Sequence, residues 1–152
     1  MKAKSSVPIE GQTIIVTGAA QGLGAAVARH LHDQGARLIL LDRNEARLAE
    51  VKLSCPGAVA AVVDLSDSLA TQHTIDRVVT GPVDTVVHNA AILRVEPLED
   101  VSLVSFQATM NVGIQAGFQL TKAVWPTMQN RGGALIFVSS RSGIEGFDNE
   151  TA

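Results

Sequence analysis

Thr17-Gly18-Ala19-Ala20-Gln21-Gly22-Leu23-Gly24 stands between the apolar run Thr13–Thr17 (TIIVT) and a stretch whose apolar residues recur at three- and four-residue steps. A glycine-rich junction from a strand into a helix uses backbone freedom that residues with a Cβ lack, and it presents the unpaired N–H groups of the helix start. Aligned peptide dipoles favour anions there, phosphates among them. The same glycines also suit a tight turn packed closely for steric reasons alone.

Outward from this junction, short apolar runs alternate with longer helical stretches. Strands are expected near residues 13–17, 37–41 (RLILL), 58–63 (AVAAVV), 83–87 (VDTVV) and 134–138 (ALIFV). Helices are expected over 23–34, 44–53, 68–79 and a long 102–129 that Asn130-Arg131-Gly132-Gly133 ends. Strands apolar on both faces, alternating with helices, imply an α/β chain with a Rossmann-type doubly wound parallel sheet. Ligands bind such a sheet beyond the carboxyl ends of its strands, where the strand order reverses. The run 134–138 is apolar on both faces, which suits an interior strand, and with nothing after Ala152 to cover it an edge unprotected by charge or proline is expected there; the sheet reads as incomplete at its carboxyl-terminal side.

At 152 residues, one domain is expected, and 46% hydrophobic against 18% charged residues places the chain among globular proteins rather than disordered ones. A net charge of -3 with scattered basic residues argues against a nucleic-acid partner. Cys55 is the single cysteine, which excludes an internal disulfide and suits a reducing, cytoplasmic setting. Residues 1–11 lack the apolar centre of an export signal, and no run approaches the length of a membrane span, so no membrane partner is expected. His30, His32 and His73 fall in helices without a metal-like cluster, and no metal site is expected. Tyrosine is absent altogether.

Asp42 ends the second strand, where a carboxylate can accept hydrogen bonds from the ribose hydroxyls of an adenosine and repel a 2′-phosphate. Gln21, before Gly22, is neutral and would not offset that repulsion. NAD is therefore expected over NADP, with Arg43 as the one residue that softens the discrimination. Asp64-Leu65 follows the third strand and reads on its own as a strand-end cap as readily as a ligand contact. Asn111 lies inside the long helix, an unfavourable place for an amide unless its side chain or a local kink uses it. Gly113 and Gly117 nearby are expected to allow close helix packing.

The glycine spacing, three residues and then one, resembles that of the short-chain dehydrogenase/reductase family, classical type. The resemblance covers nearly the whole chain and about the first three fifths of a usual family member. It implies an NAD-binding Rossmann domain over residues 1–152, with Gly18, Gln21, Gly22, Leu23, Gly24 and Asp42 on the cofactor and Asp64 and Leu65 at its adenine. His88-Asn89-Ala90-Ala91 is similar to the family's Asn-Asn-Ala-Gly segment, which implies cofactor contacts for Asn89, Ala90 and Ala91; Val112 joins them. Two positions depart from that pattern. His88 replaces an asparagine and reads as a hydrogen-bonded structural histidine, and Ala91 adds a methyl where the backbone usually approaches closest.

The resemblance makes Asn111 the holder of a relay water and Ser140, in Val138-Ser139-Ser140-Arg141-Ser142-Gly143, the catalytic serine, whereas on its own that serine pair reads as strand-end capping. It implies hydride transfer between nicotinamide and a small-molecule alcohol or ketone, in a full-length homo-oligomer. The family's tyrosine falls thirteen positions after Ser140, at position 153, with a lysine four later, and the chain ends at Ala152. Residues 1–152 are thus expected to stop before the Tyr-x-x-x-Lys pair and to be inactive alone. A non-catalytic nucleotide-binding or interaction protein of the same lineage is the alternative. A sugar-nucleotide-modifying relative or a nucleoside-binding methyltransferase is a weaker one, because the former spaces its glycines differently and the latter has no reason for Asn111 and Ser140 at these stations. The substrate, the direction of reaction and the oligomeric state are not legible.

Overall fold

The computed structural model describes residues 8–150. Most of the polar amino-terminal segment and the final two positions, on which the expectations about export and chain end rest, lie outside the described residues.

Five strands form one parallel sheet: β1 (Thr13–Thr17), β2 (Arg37–Asp42), β3 (Val59–Val62), β4 (Thr85–His88) and β5 (Ala134–Phe137). Their order is β3-β2-β1-β4-β5. The chain winds from β1 towards β3, then crosses to β4 on the other side of β1, and the order reverses between β1 and β4. There Thr17 and His88 stand side by side in register. The helices are α1 (Gly22–Asp33), α2 (Glu45–Ser54), α3 (Ser68–Val78), α4 (Leu103–Met110) and α5 (Ala116–Arg131). No helix among the described residues is long and apolar enough to cross a membrane.

Strand periodicity sorts the core into two layers. Ile14, Val16, Leu38 and Leu40 pack with Ala25, Ala28, Leu48 and Val51 on one face. Ile15, Ile39, Leu41 and Val86 pack with Ile75, Leu120 and Val124 on the other. Buried on both faces, β1 and β2 are the apolar centre that the sequence requires.

Differences from the expected bounds have local causes. β4 starts at Thr85, because Asp84 is occupied in tying the strand entrance: its N–H donates to the Thr13 carbonyl and its carboxylate accepts from the Thr13 N–H. β3 starts at Val59, because the Ala58 N–H closes a turn on the Cys55 carbonyl. The long helix is one rod of three parts, with a π turn at Asn111–Gln115 between α4 and α5. Gly132, at φ 78°, ends α5. Gly117 makes the close packing expected of it, since a Cβ there would lie 2.5 Å from the Phe137 ring; a Cβ at Gly113 would meet nothing.

β5 is an edge strand, and Ile136, Phe137 and Val138 are 48%, 51% and 41% exposed. Hydrogen exchange on this chain is therefore expected to be slowest in β1 and fastest in β5, with concentration-dependent association in light scattering that Ile136→Lys suppresses. A monomer at all concentrations with strong protection at residues 136–138 would contradict this.

Candidate functional site

At the end of β1 the chain turns within contact distance of the end of β4. Gly18 and Gly22 hold φ of +65° and +53°, in the left-handed region that glycine enters without strain. A Cβ on Gly24 would lie 2.1 Å from the Gly18 carbonyl oxygen and 2.6 Å from Asn89 Nδ2. Asn89 Nδ2 donates to the Thr17 and Gly18 carbonyls at 3.2 and 3.3 Å and so fastens the turn to β4. Gln21, the residue before α1, makes no side-chain cap to the helix, and a Cβ on Gly22 would meet nothing within 4 Å. The start of α1 thus lies open in front of the turn, as an anion cradle requires.

Asp42 reaches the same space from β2. Its Oδ2 accepts from the Ala20 N–H and its Oδ1 from the Asn44 N–H, both at 2.9 Å. Each oxygen keeps a further lone pair, so the carboxylate is fixed in position and still able to accept from a ligand. Asn44 in turn caps α2 through the Arg47 N–H, and the Arg47 guanidinium donates to the Gln21 side chain.

Past β3, Asp64 Oδ1 accepts from the Ser66 N–H at 2.9 Å. That bond holds the Asp64 carboxyl below its usual range against partial burial, with the Ser66 hydroxyl and the positive charge of Arg43 adding to it. The capping role open to Asp64 in the sequence is therefore real, and the residue also faces the shared cleft.

That cleft encloses about 400 Å³ beyond the carboxyl ends of β1, β2, β3 and β4. Gly18, Gln21, Gly22, Leu23, Asp42, Asp64, Leu65, Asn89, Ala90, Ala91 and Val112 all line it. Gly24, buried behind the turn, shapes the cleft without lining it. Arg43, Asn44, Val63 and Ile92 line it too. Asn44, Val63 and Ile92 went unremarked in the sequence; the signal for Asn44 was its position, directly before a helix and two residues past Asp42.

Asn111 and Ser140 are placed differently. Asn111 sits in the π turn, where its Nδ2 donates to the Ser66 carbonyl at 2.7 Å and its Oδ1 accepts from Gln107. Its amide thus steadies the turn that carries Asp64. Ser140 caps the short 3₁₀ turn Arg141–Gly143 through the Ser142 N–H and is exposed. Neither residue lines the cleft, and no hydrogen bond joins them among the described residues.

His88, by contrast, is buried at the end of β4. Its Nδ1 lies 3.0 Å from Thr17 Oγ1, and its Nε2 lies 3.0 and 3.1 Å from the Val112 and Gly113 carbonyl oxygens. Burial holds the imidazole pKa below its ordinary value, with the two carbonyls pulling the other way. It is a hydrogen-bonded structural histidine, as the sequence suggests.

Comparison with known proteins places this geometry. The family model described as short chain dehydrogenase matches residues 12–152. L-xylulose reductase of Homo sapiens is 35% identical over 135 residues, covering 88% of this chain and 54% of that protein. Carbonyl reductase [NADPH] 2 of Sus scrofa is 36% identical over 132 residues, covering 86% and 53%. The chain therefore spans about half the length of these curated relatives. A metagenomic short-chain oxidoreductase solved in complex with NADP superposes with a TM-score of 0.83 at 30% identity, over 95% of this chain and 68% of that one.

Two alanine substitutions test the turn. Gly24→Ala forces a Cβ into a backbone oxygen and is expected to cost about 2–4 kcal/mol in urea unfolding. Gly22→Ala, strained in φ but open in space, is expected to cost about 1–2 kcal/mol. Equal unfolding midpoints for Gly24→Ala and the parent chain would contradict the close approach.

Proposed function

This chain belongs to the short-chain dehydrogenase family, and we propose that its cleft binds a nicotinamide dinucleotide for hydride transfer between an alcohol or ketone and that cofactor. The observation that carries this reading is the glycine turn opening onto a cleft whose far side holds the fixed Asp42 carboxylate. A cradle that a Cβ at Gly18 would crowd against Asn89 fits a pyrophosphate held by backbone N–H groups. Asp42 would accept from the adenosine ribose, and Asp64 and Leu65 would border the adenine. Asn89, Ala90, Ala91 and Val112 would lie along the nicotinamide half.

NAD is proposed over NADP, because a 2′-phosphate would have to approach the Asp42 carboxylate. The pig relative's name and the metagenomic complex both carry the phosphorylated cofactor. Arg43, on the lining beside Asp42, favours that second possibility, so the two cofactors compete through adjacent side chains of opposite charge.

The bound nicotinamide supplies the hydride chemistry, and the chain's own residues orient and exclude. Ser140 would hydrogen-bond the substrate oxygen, and Asn111 would order a water for proton transfer. No tyrosine stands among residues 1–152, and the proton donor is proposed to be a group outside them. Asn111 and Ser140, both off the cleft lining, favour a second reading, a non-catalytic nucleotide-binding member of the family. The protein is proposed to work in a reducing cytoplasm, on a small molecule rather than a nucleic acid or a membrane. Self-association is proposed as well, and the exposed Leu103, Phe106, Met110, Ile114 and Phe118 of α4, the π turn and α5 support it.

Calorimetric titration tests the cofactor assignment. NADH is expected to bind more tightly than NADPH, and Asp42→Ala to narrow the gap by about 1–3 kcal/mol, as for loss of a charged hydrogen bond. Equal or tighter NADPH binding by the parent chain would overturn the preference. Residues 1–152 alone are expected to give no NADH production from any alcohol, and steady turnover would rule out the non-catalytic reading.

A further inference from the structure

We infer that His88 is a positioning residue: one neutral imidazole locks the π turn carrying Asn111 to the strand end carrying the glycine turn, and its protonation releases that lock.

Donors and acceptors around it leave one assignment. Thr17 Oγ1 already accepts from the Asn89 and Ala90 N–H groups at 3.1 and 3.0 Å. Its own proton must therefore go to His88 Nδ1, which is bare. At the other end of the ring, Nε2 faces two carbonyl oxygens, those of Val112 and Gly113, and has to be the protonated nitrogen. Both ends require the same neutral tautomer. A continuous chain then runs from the π turn through His88 and Thr17 to the backbone of Asn89 and Ala90, both of which line the cleft.

Packing fixes the ring in this place. Thr17 is fully buried and His88 is 3% exposed. Phe137 meets the imidazole edge-on at a centroid distance of 5.5 Å, and a Cβ on Gly117 would lie 3.1 Å from the His88 Cδ2. From β1, the π turn, α5 and β5 the groups it touches are the Thr17 hydroxyl, the Val112 and Gly113 carbonyls, Gly117 and Phe137, none of them charged. Among the described residues it touches, nothing carries the negative charge that would stabilise an imidazolium.

A second proton on Nδ1 breaks the chain. Thr17 Oγ1 would have to accept a third N–H, and its own hydrogen would lose its acceptor in a site closed to water. The sign follows. The folded-state pKa of His88 is depressed, so the neutral imidazole contributes its full stability above the unfolded value of about 6.5, and this is lost as pH falls through the folded value. Acidification thus loosens the π turn and the Asn89–Ala90 segment together.

Nitrogen-15 NMR of the imidazole, with amide exchange followed from pH 7.5 to 5.0, tests the lock on the whole chain. A bare Nδ1 and a protonated Nε2 are expected at pH 7.5. Exchange at residues 111–115 and at Asn89 and Ala90 is expected to rise together as Nδ1 takes its proton. His88→Asn, which does not titrate, is expected to flatten that pH response while His30, His32 and His73 remain. An Nδ1–H tautomer at neutral pH, or exchange at 111–115 unmoved through the His88 titration, would overturn the inference; these two readouts decide even where His88→Asn does not fold.

The consequence for binding rests on the cofactor reading. NADH fluorescence titration is expected to show affinity falling with pH over the same range in which exchange at residues 111–115 rises. Binding that is flat with pH overturns the link to the cleft. Absence of NADH binding at any pH overturns the cofactor reading and leaves the lock to be decided by the NMR readouts.

Discussion

Gly24 comes so near the Gly18 carbonyl that a methyl group between them would sit 2.1 Å from the oxygen, and the rest of the site depends on that approach. It lets α1 begin directly at the end of β1, and it lets Asn89 bond across to the Thr17 and Gly18 carbonyls. β1 and β4, neighbours across the reversal of strand order, are thereby joined at their carboxyl ends by side chain as well as by ladder. A bulkier residue at either glycine would push α1 outward and open the floor of the cleft.

Charge at the cleft is arranged on this frame. Asp42 is held by two backbone N–H groups, one of them from Ala20 in the glycine turn, so the turn and the carboxylate cannot move independently. Arg43 stands next to it on the lining, and its positive charge adds to the Ser66 hydrogen bonds that hold the Asp64 carboxyl down. Opposite charges within one small site make cofactor choice a matter of position more than of composition.

Where the sequence was informative, it was because the signal was local. Apolar runs bounded by Gly, Asp and Asn gave all five strands to within a few residues, and the glycine spacing located the turn. Gly132 announced the end of α5 for the same reason, since a positive φ has a residue preference of its own. The π turn at Asn111 was visible only as an amide where a helix does not want one. Its cause lies elsewhere in the chain, in the Ser66 carbonyl that Asn111 holds and in the His88 ring beneath it. The Thr17 hydroxyl was not legible at all, because nothing local distinguishes a strand-end threonine whose hydroxyl organises three partners from one that faces solvent. Ser140, the serine that the resemblance makes catalytic, caps a short turn off the cleft lining, a local role that its neighbours in sequence did announce.

The central claim is that this one cleft, and no other surface, receives the dinucleotide. Amide chemical-shift mapping with NADH added stepwise to the isotope-labelled chain tests it most directly. The account predicts the largest changes at Gly18, Gly22, Asp42, Leu65, Ala90 and Ala91, with β5 and the exposed face of α4 unmoved. Saturable changes confined to residues outside the cleft, or no change at any amide, would contradict it.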